Sequence, residues 1–113
     1  MKKVALLIAL LAVVLNTSGK GNTEEIILKS SIVCEMCKET IEKGLAYTSG
    51  IKVVRVDVEK NEIYIKYNSS KITLEKIKDE INEMGYVAGD QKPTRKEYEG
   101  LHHCCKKEGV FDD

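Results

Sequence analysis

Two short runs of alternating apolar residues, Val54, Val56 and Val58 and then Ile63, Ile65 and Tyr67, are separated only by Glu59, Lys60 and Asn61. Alternation at period two on both sides of so short a gap predicts a β-hairpin, with strands over Lys52–Val58 and Glu62–Tyr67 and one buried face. A hairpin cannot bury that face by itself, so helices must cover it. Two segments fit. Ile41 and Leu45, four apart, mark a short helix from Cys37 to Ala46 that Tyr47, Thr48, Ser49 and Gly50 end, and Leu74, Ile77, Ile81 and Met84 mark a second helix, capped by Thr73 and ended by Gly85. Glu24 to Ser31 reads as a first strand, with Ile26, Leu28, Ser30 and Ile32 on one side, and Tyr86 to Ala88 as a short last one. The order is then βαββαβ, an α+β, ferredoxin-like sandwich with two helices on one face of an antiparallel sheet.

The chain has 113 residues. Met1 to Lys3 is a positive opening and Val4 to Leu15 an unbroken apolar run, too short to span about 30 Å of hydrocarbon but suited to a signal peptide over residues 1–19. Export to the periplasm or beyond the cell is the expectation. Removing Lys2 and Lys3 leaves 16 of the 18 basic residues against 18 acidic ones, so no basic stripe is on offer for nucleic acid. What remains, roughly 90 residues, builds one small domain over 23–89. The tail, 90–113, is polar, and Pro93 opens a predicted third helix from Thr94 to about Lys107.

Cys34 and Cys37 lie at the start of the first helix, where a loop and one helical turn can aim both sulfurs at a point about 2.3 Å from each. The positive end of the helix favours thiolate, the form that ligates soft metals and also attacks disulfides. Spacing alone leaves both chemistries open, together with a plain structural disulfide. Two thiolates favour copper(I), mercury(II) and zinc over magnesium or calcium. Glu35 adds a carboxylate between them, read chiefly as a solvated first-turn acid, and Met36 a thioether read chiefly as a surface contact.

His102, His103, Cys104 and Cys105 put four N and S ligands in a row, and metal binding is the expected use. On a helix, neighbours diverge by about 100° around the axis and cannot all meet one ion, whereas an extended or turning segment lets two or three converge. If Tyr86–Ala88 runs antiparallel to the first strand, the chain leaves at the end far from Cys34, and the tail must return by roughly 23 Å to reach it. The tail then either adds ligands to the Cys34 and Cys37 site or forms a site of its own.

The stretches SIVCEMCKETIEKGL, GIKVVRVDVEKNEIYIKYN and TLEKIKDEINEMGYVA together resemble the heavy-metal-associated domain family, whose consensus at the cysteines is GMTCxxC. Here Ser31, Ile32 and Val33 stand for the usual Gly, Met and Thr, while the cysteine spacing is kept. The resemblance implies a non-enzymatic carrier that binds a soft ion, copper(I), zinc, cadmium or mercury(II), through Cys34 and Cys37. It passes the ion to a partner by ligand exchange, and the partner implied is a membrane transporter or receptor with its own cysteine pair, met as a monomer or a metal-bridged dimer. Among family members an exported single domain is most similar to the periplasmic mercury-binding ones. Tyr86 of such a domain lies near the cysteine loop, as packing that also shields the metal. The rival function is thiol–disulfide exchange at the same CxxC; against it stand a lone Pro93 in the tail and Val33 before Cys34, where thioredoxin-like chains have a cis-proline loop and an aromatic residue.

Overall fold

The computed structural model describes residues 22–111, so the expected signal peptide lies outside the described residues. Strand β1 (Thr23–Lys29) leads through a loop to helix α1 (Glu35–Ala46), followed by β2 (Ile51–Asp57) and β3 (Glu62–Asn68), helix α2 (Leu74–Glu83) and, in the tail, a five-residue helix α3 (Arg95–Glu99). A 3₁₀ turn, His103–Cys105, follows. The strands form a three-stranded antiparallel sheet in the order β1-β3-β2, and Leu28 pairs with Ile63 while Val56 faces Ile63 from the other side.

The predicted alternation decides which face is covered. Leu28, Val56, Ile63, Ile65 and Tyr67 are buried under Ile41 and Leu45 of α1 and Ile77 and Ile81 of α2, whereas Ile27, on the opposite face of β1, is exposed. The Thr73 hydroxyl caps α2 by accepting from the Lys76 N–H at 3.1 Å. Gly85 closes that helix with φ +101°: its N–H donates to Asn82 O at 2.8 Å and the Tyr86 N–H to Ile81 O at 3.3 Å, the paired bonds of a Schellman ending. This is the α+β, ferredoxin-like arrangement, with one strand fewer than expected.

Tyr86–Ala88 does not form the fourth strand. It runs beside the end of β1, but the Val87 N–H donates to the Ser31 hydroxyl at 3.0 Å instead of to a backbone carbonyl, and Gly89, at φ +63°, donates to Lys29 O at 2.7 Å as the chain turns to bridge Ala88 with Gln91. A side-chain acceptor in the ladder position and an immediate turn leave no run of backbone pairs. The chain consequently departs next to the cysteine loop, and the expected return over a strand's length is unnecessary. The long tail helix is also absent. α3 starts on a capping box, Thr94 N–H to the Glu97 carboxylate at 2.7 Å and Glu97 N–H to Thr94 Oγ1 at 3.1 Å, and ends at Gly100 after five residues.

Candidate metal centre

The loop between β1 and α1 is held from two sides. From the hairpin turn, Asn61, at φ +56°, donates its side-chain amide to Ile32 O and receives the Ser30 N–H on its carbonyl at 2.9 Å. Beneath, Ile32 is fully buried in the core and supplies the apolar anchor. Cys34 is thereby fixed as the residue preceding α1, with extended backbone angles, and Cys37 falls one turn later on the buried side of the helix. Their sulfurs are 3.3 Å apart.

The tail reaches the same point. Cys105 Sγ lies 3.5 Å from Cys34 Sγ, and the sulfurs of Cys34, Cys104 and Cys105 all lie within 4.8 Å of one another. All four cysteines are free thiols: Cys37 and Cys105 buried, Cys34 half-buried, Cys104 exposed. Cys104 Sγ is also 3.9 Å from the Met36 thioether. The 3₁₀ turn allows this convergence of neighbours, since the Cys105 N–H folds back onto His102 O at 2.8 Å. His102 and His103 are turned outward and exposed, outside the sulfur cluster. Of the four tail residues expected to ligate, the fold brings two cysteines to the site and leaves both histidines in solvent, because the turn that points adjacent thiols inward points the preceding imidazoles away. Glu35 is exposed in the first turn of α1.

Electrostatics divide the thiols. Cys34 makes no capping hydrogen bond as a neutral thiol, but its pKa is drawn down to about 7. Burial opposes that ionisation, and it is outweighed by the Cys37 backbone N–H, the Cys37 and Cys105 thiols and the Met36 N–H, all of which favour the thiolate. The Cys105 thiol is pushed up, first by burial and then by its neighbour Cys37, with Tyr86 working the other way. Tyr86 is 1% exposed; burial first, then the neighbouring Cys37 and Cys105 thiols, raises its pKa. Its ring packs in the core and also covers the inner side of the cluster. In a reduced chain near neutral pH the arrangement therefore offers one ready thiolate, Cys34, beside the protonated, sheltered Cys105.

Sequence reasoning missed the Asn61 tether and the Ser31 hydroxyl. Asn in a hairpin turn signals a left-handed residue but not the reach of its amide, and a serine's partner 56 residues away leaves no local trace.

A thiol pair at a helix start on a ferredoxin-like α+β domain defines a small soft-metal-binding module. The model of the heavy-metal-associated domain matches residues 26–87, and the chain belongs to that family. A copper chaperone, CopZ, of Staphylococcus epidermidis is 36% identical over 64 residues, covering 57% of this chain and 94% of the relative. The solved CopZ metallochaperone superposes with a TM-score of 0.55 at 27% identity, covering 57% of this chain and 98% of the other. Oxidized MerP from Ralstonia metallidurans shares the fold, with a TM-score of 0.57 at 20% identity over 59% of this chain and 94% of the other. The family match stops short of the tail that carries Cys104 and Cys105.

Proposed function

We propose that this protein captures a soft metal ion through Cys34 and Cys37 and hands it to the cysteine pair of a membrane transporter, acting outside the cytoplasm. The observation that carries the reading is the pair of sulfurs 3.3 Å apart at the start of α1, one of them a thiol with a pKa of about 7. A ready thiolate forms the first metal–sulfur bond without prior loss of a proton, and thiolate ligands favour soft over hard ions. Copper(I) is the proposed cargo, because the similar chaperones are copper chaperones, with mercury(II) and zinc the other ions such a thiol set takes. Likeness to the soluble region of the P-type ATPase CopA from Bacillus subtilis, 25% identical with a TM-score of 0.56, supports a transporter domain of the same fold as the receiver. The apolar run Val4–Leu15 behind Lys2 and Lys3 supports export.

Transfer needs no bond to carbon. An incoming thiolate adds to the ion, a three-sulfur intermediate forms, and one of Cys34 or Cys37 leaves; the charge released with the ion is balanced by a proton taken up on the departing sulfur. Half-buried Cys34 is the sulfur an incoming group meets, and buried Cys37 the one that stays sheltered.

Anaerobic titration of the reduced chain with copper(I), zinc and mercury(II), with competing chelators, tests the reading. One ion per chain, lost in Cys34→Ser with Cys37→Ser, is expected. Absence of tight binding together with rapid disulfide exchange would replace the carrier by a thiol oxidoreductase.

A further inference from the structure

The tail does not stop near the metal loop; it is built onto it. Gly85 has no side chain where Leu101 lies, an added Cβ there coming within 2.8 Å of Leu101 Cδ2. Val110 is buried, the Tyr98 hydroxyl donates to Lys107 O at 2.9 Å, and the Tyr98 and Phe111 rings meet edge to face at 5.3 Å. These contacts bracket Cys104 and Cys105 on both sides, so both thiols are in place before any ion arrives and binding does not bear the entropy of ordering them.

Resting on the carrier reading above, we propose that Cys104 and Cys105 join Cys34 and Cys37 to hold one ion with more than two thiolates. About 2.3 Å metal–sulfur bonds set sulfurs about 3.8 Å apart around a tetrahedral ion and about 4.0 Å apart around a trigonal one. Cys34 lies 3.5 Å from Cys105, and the sulfurs of Cys34, Cys104 and Cys105 lie within 4.8 Å of one another, so shifts of a few tenths of an ångström to about one ångström bring these three to those spacings, with Cys37 beside them 3.3 Å from Cys34. Two-coordinate binding calls for about 4.6 Å between two opposed sulfurs and has no use for the others. On binding, each coordinating thiol still protonated loses its proton to the buffer as its metal–sulfur bond forms. Exposed Cys104 is then the ligand an outside thiol displaces first. The tail makes the site a closed holder that a receiver must open, where the cysteine pair by itself is an open one.

Cadmium(II) added anaerobically to the reduced full chain tests this through the thiolate-to-metal absorbance per bound ion. In Cys104→Ser with Cys105→Ser, the absorbance per ion falls, because the ion loses two of its thiolate ligands. Competition by a chelator then succeeds at a concentration lower by on the order of 10²-fold, the loss expected when tethered ligands are removed. Because Cys105 is buried and its substitution disturbs packing, a second measurement uses the unaltered chain: cadmium protects exposed Cys104 from iodoacetamide. Equal absorbance per ion with Cys104 still labelled overturns the proposal and leaves the carrier reading intact. A cadmium ion retained by Cys34→Ser with Cys37→Ser overturns it by showing a separate tail site. No cadmium bound by the unaltered chain overturns it together with the carrier reading.

Discussion

Replacing Gly85 with alanine strikes the one residue that both ends α2 and seats the tail. At φ +101° an L residue is outside its ordinary left-handed well, a cost of about 1–3 kcal/mol. The new Cβ also comes within 2.8 Å of the Glu97 carbonyl oxygen and of Leu101 Cγ and Cδ2. The leucine is flexible, but the carbonyl is backbone of α3 and can retreat only if the tail moves, an overpacking cost of about 1–3 kcal/mol. Alanine restricts the unfolded chain and returns about 0.4–1 kcal/mol. The net expectation is a loss of roughly 2–5 kcal/mol, which for a domain of this size lowers the melting temperature by about 10 °C or more. If the tail lifts away instead of the whole domain melting, the loss is smaller but Cys105 becomes reactive. Thermal unfolding followed by circular dichroism, run beside mass-mapped alkylation of the reduced protein, distinguishes these. A Gly85→Ala chain as stable as the parent, with Cys105 still protected, would refute the account of how the tail docks.

Alkylation of Cys34 in the reduced, metal-free chain should rise with pH along a curve centred at about 7, while a centre near the ordinary thiol value would remove the argument for a ready thiolate. Because the folded pKa of Cys34 lies below its unfolded value, its ionisation favours the fold at pH above the ordinary thiol value, and that contribution is lost as the pH falls through about 7; urea midpoints across that window check the sign. Asn61→Ala removes the amide that holds Ile32 O and puts a residue poorly suited to φ +56° in the turn, and should cost about 1–3 kcal/mol in urea unfolding. Asn61→Gly, which loses the bond but accepts the angle, should cost less, and the reverse order would show that the backbone angle is unimportant.

Each element that was legible in the chain carries its own repeat. Val54, Val56 and Val58 against Ile63, Ile65 and Tyr67, and the Leu74, Ile77, Ile81 and Met84 stripe, state strand or helix within a dozen residues, and Cys34 and Cys37 declare themselves by spacing and by their place before a helix. T-x-x-E at Thr94–Glu97 followed by Gly100 could have shortened the predicted tail helix to what is observed. Tyr86–Ala88 was less readable, since three residues hold too little periodicity to say whether their N–H groups will find a backbone carbonyl or, as happens, the hydroxyl of Ser31.

Local periodicity and short-range spacing specify the hairpin, both main helices, the family pattern and the first two sulfurs. Long-range packing, by contrast, brings the tail out beside the metal loop, delivers Cys104 and Cys105 there while His102 and His103 stay in solvent, and buries Tyr86 next to Cys37 and Cys105. Cys34 and Cys105 are 71 residues apart, and their meeting at 3.5 Å depends on how Gly85, Leu101 and Val110 pack. That meeting is a property of the whole fold's close packing, which no segment of the chain encodes alone.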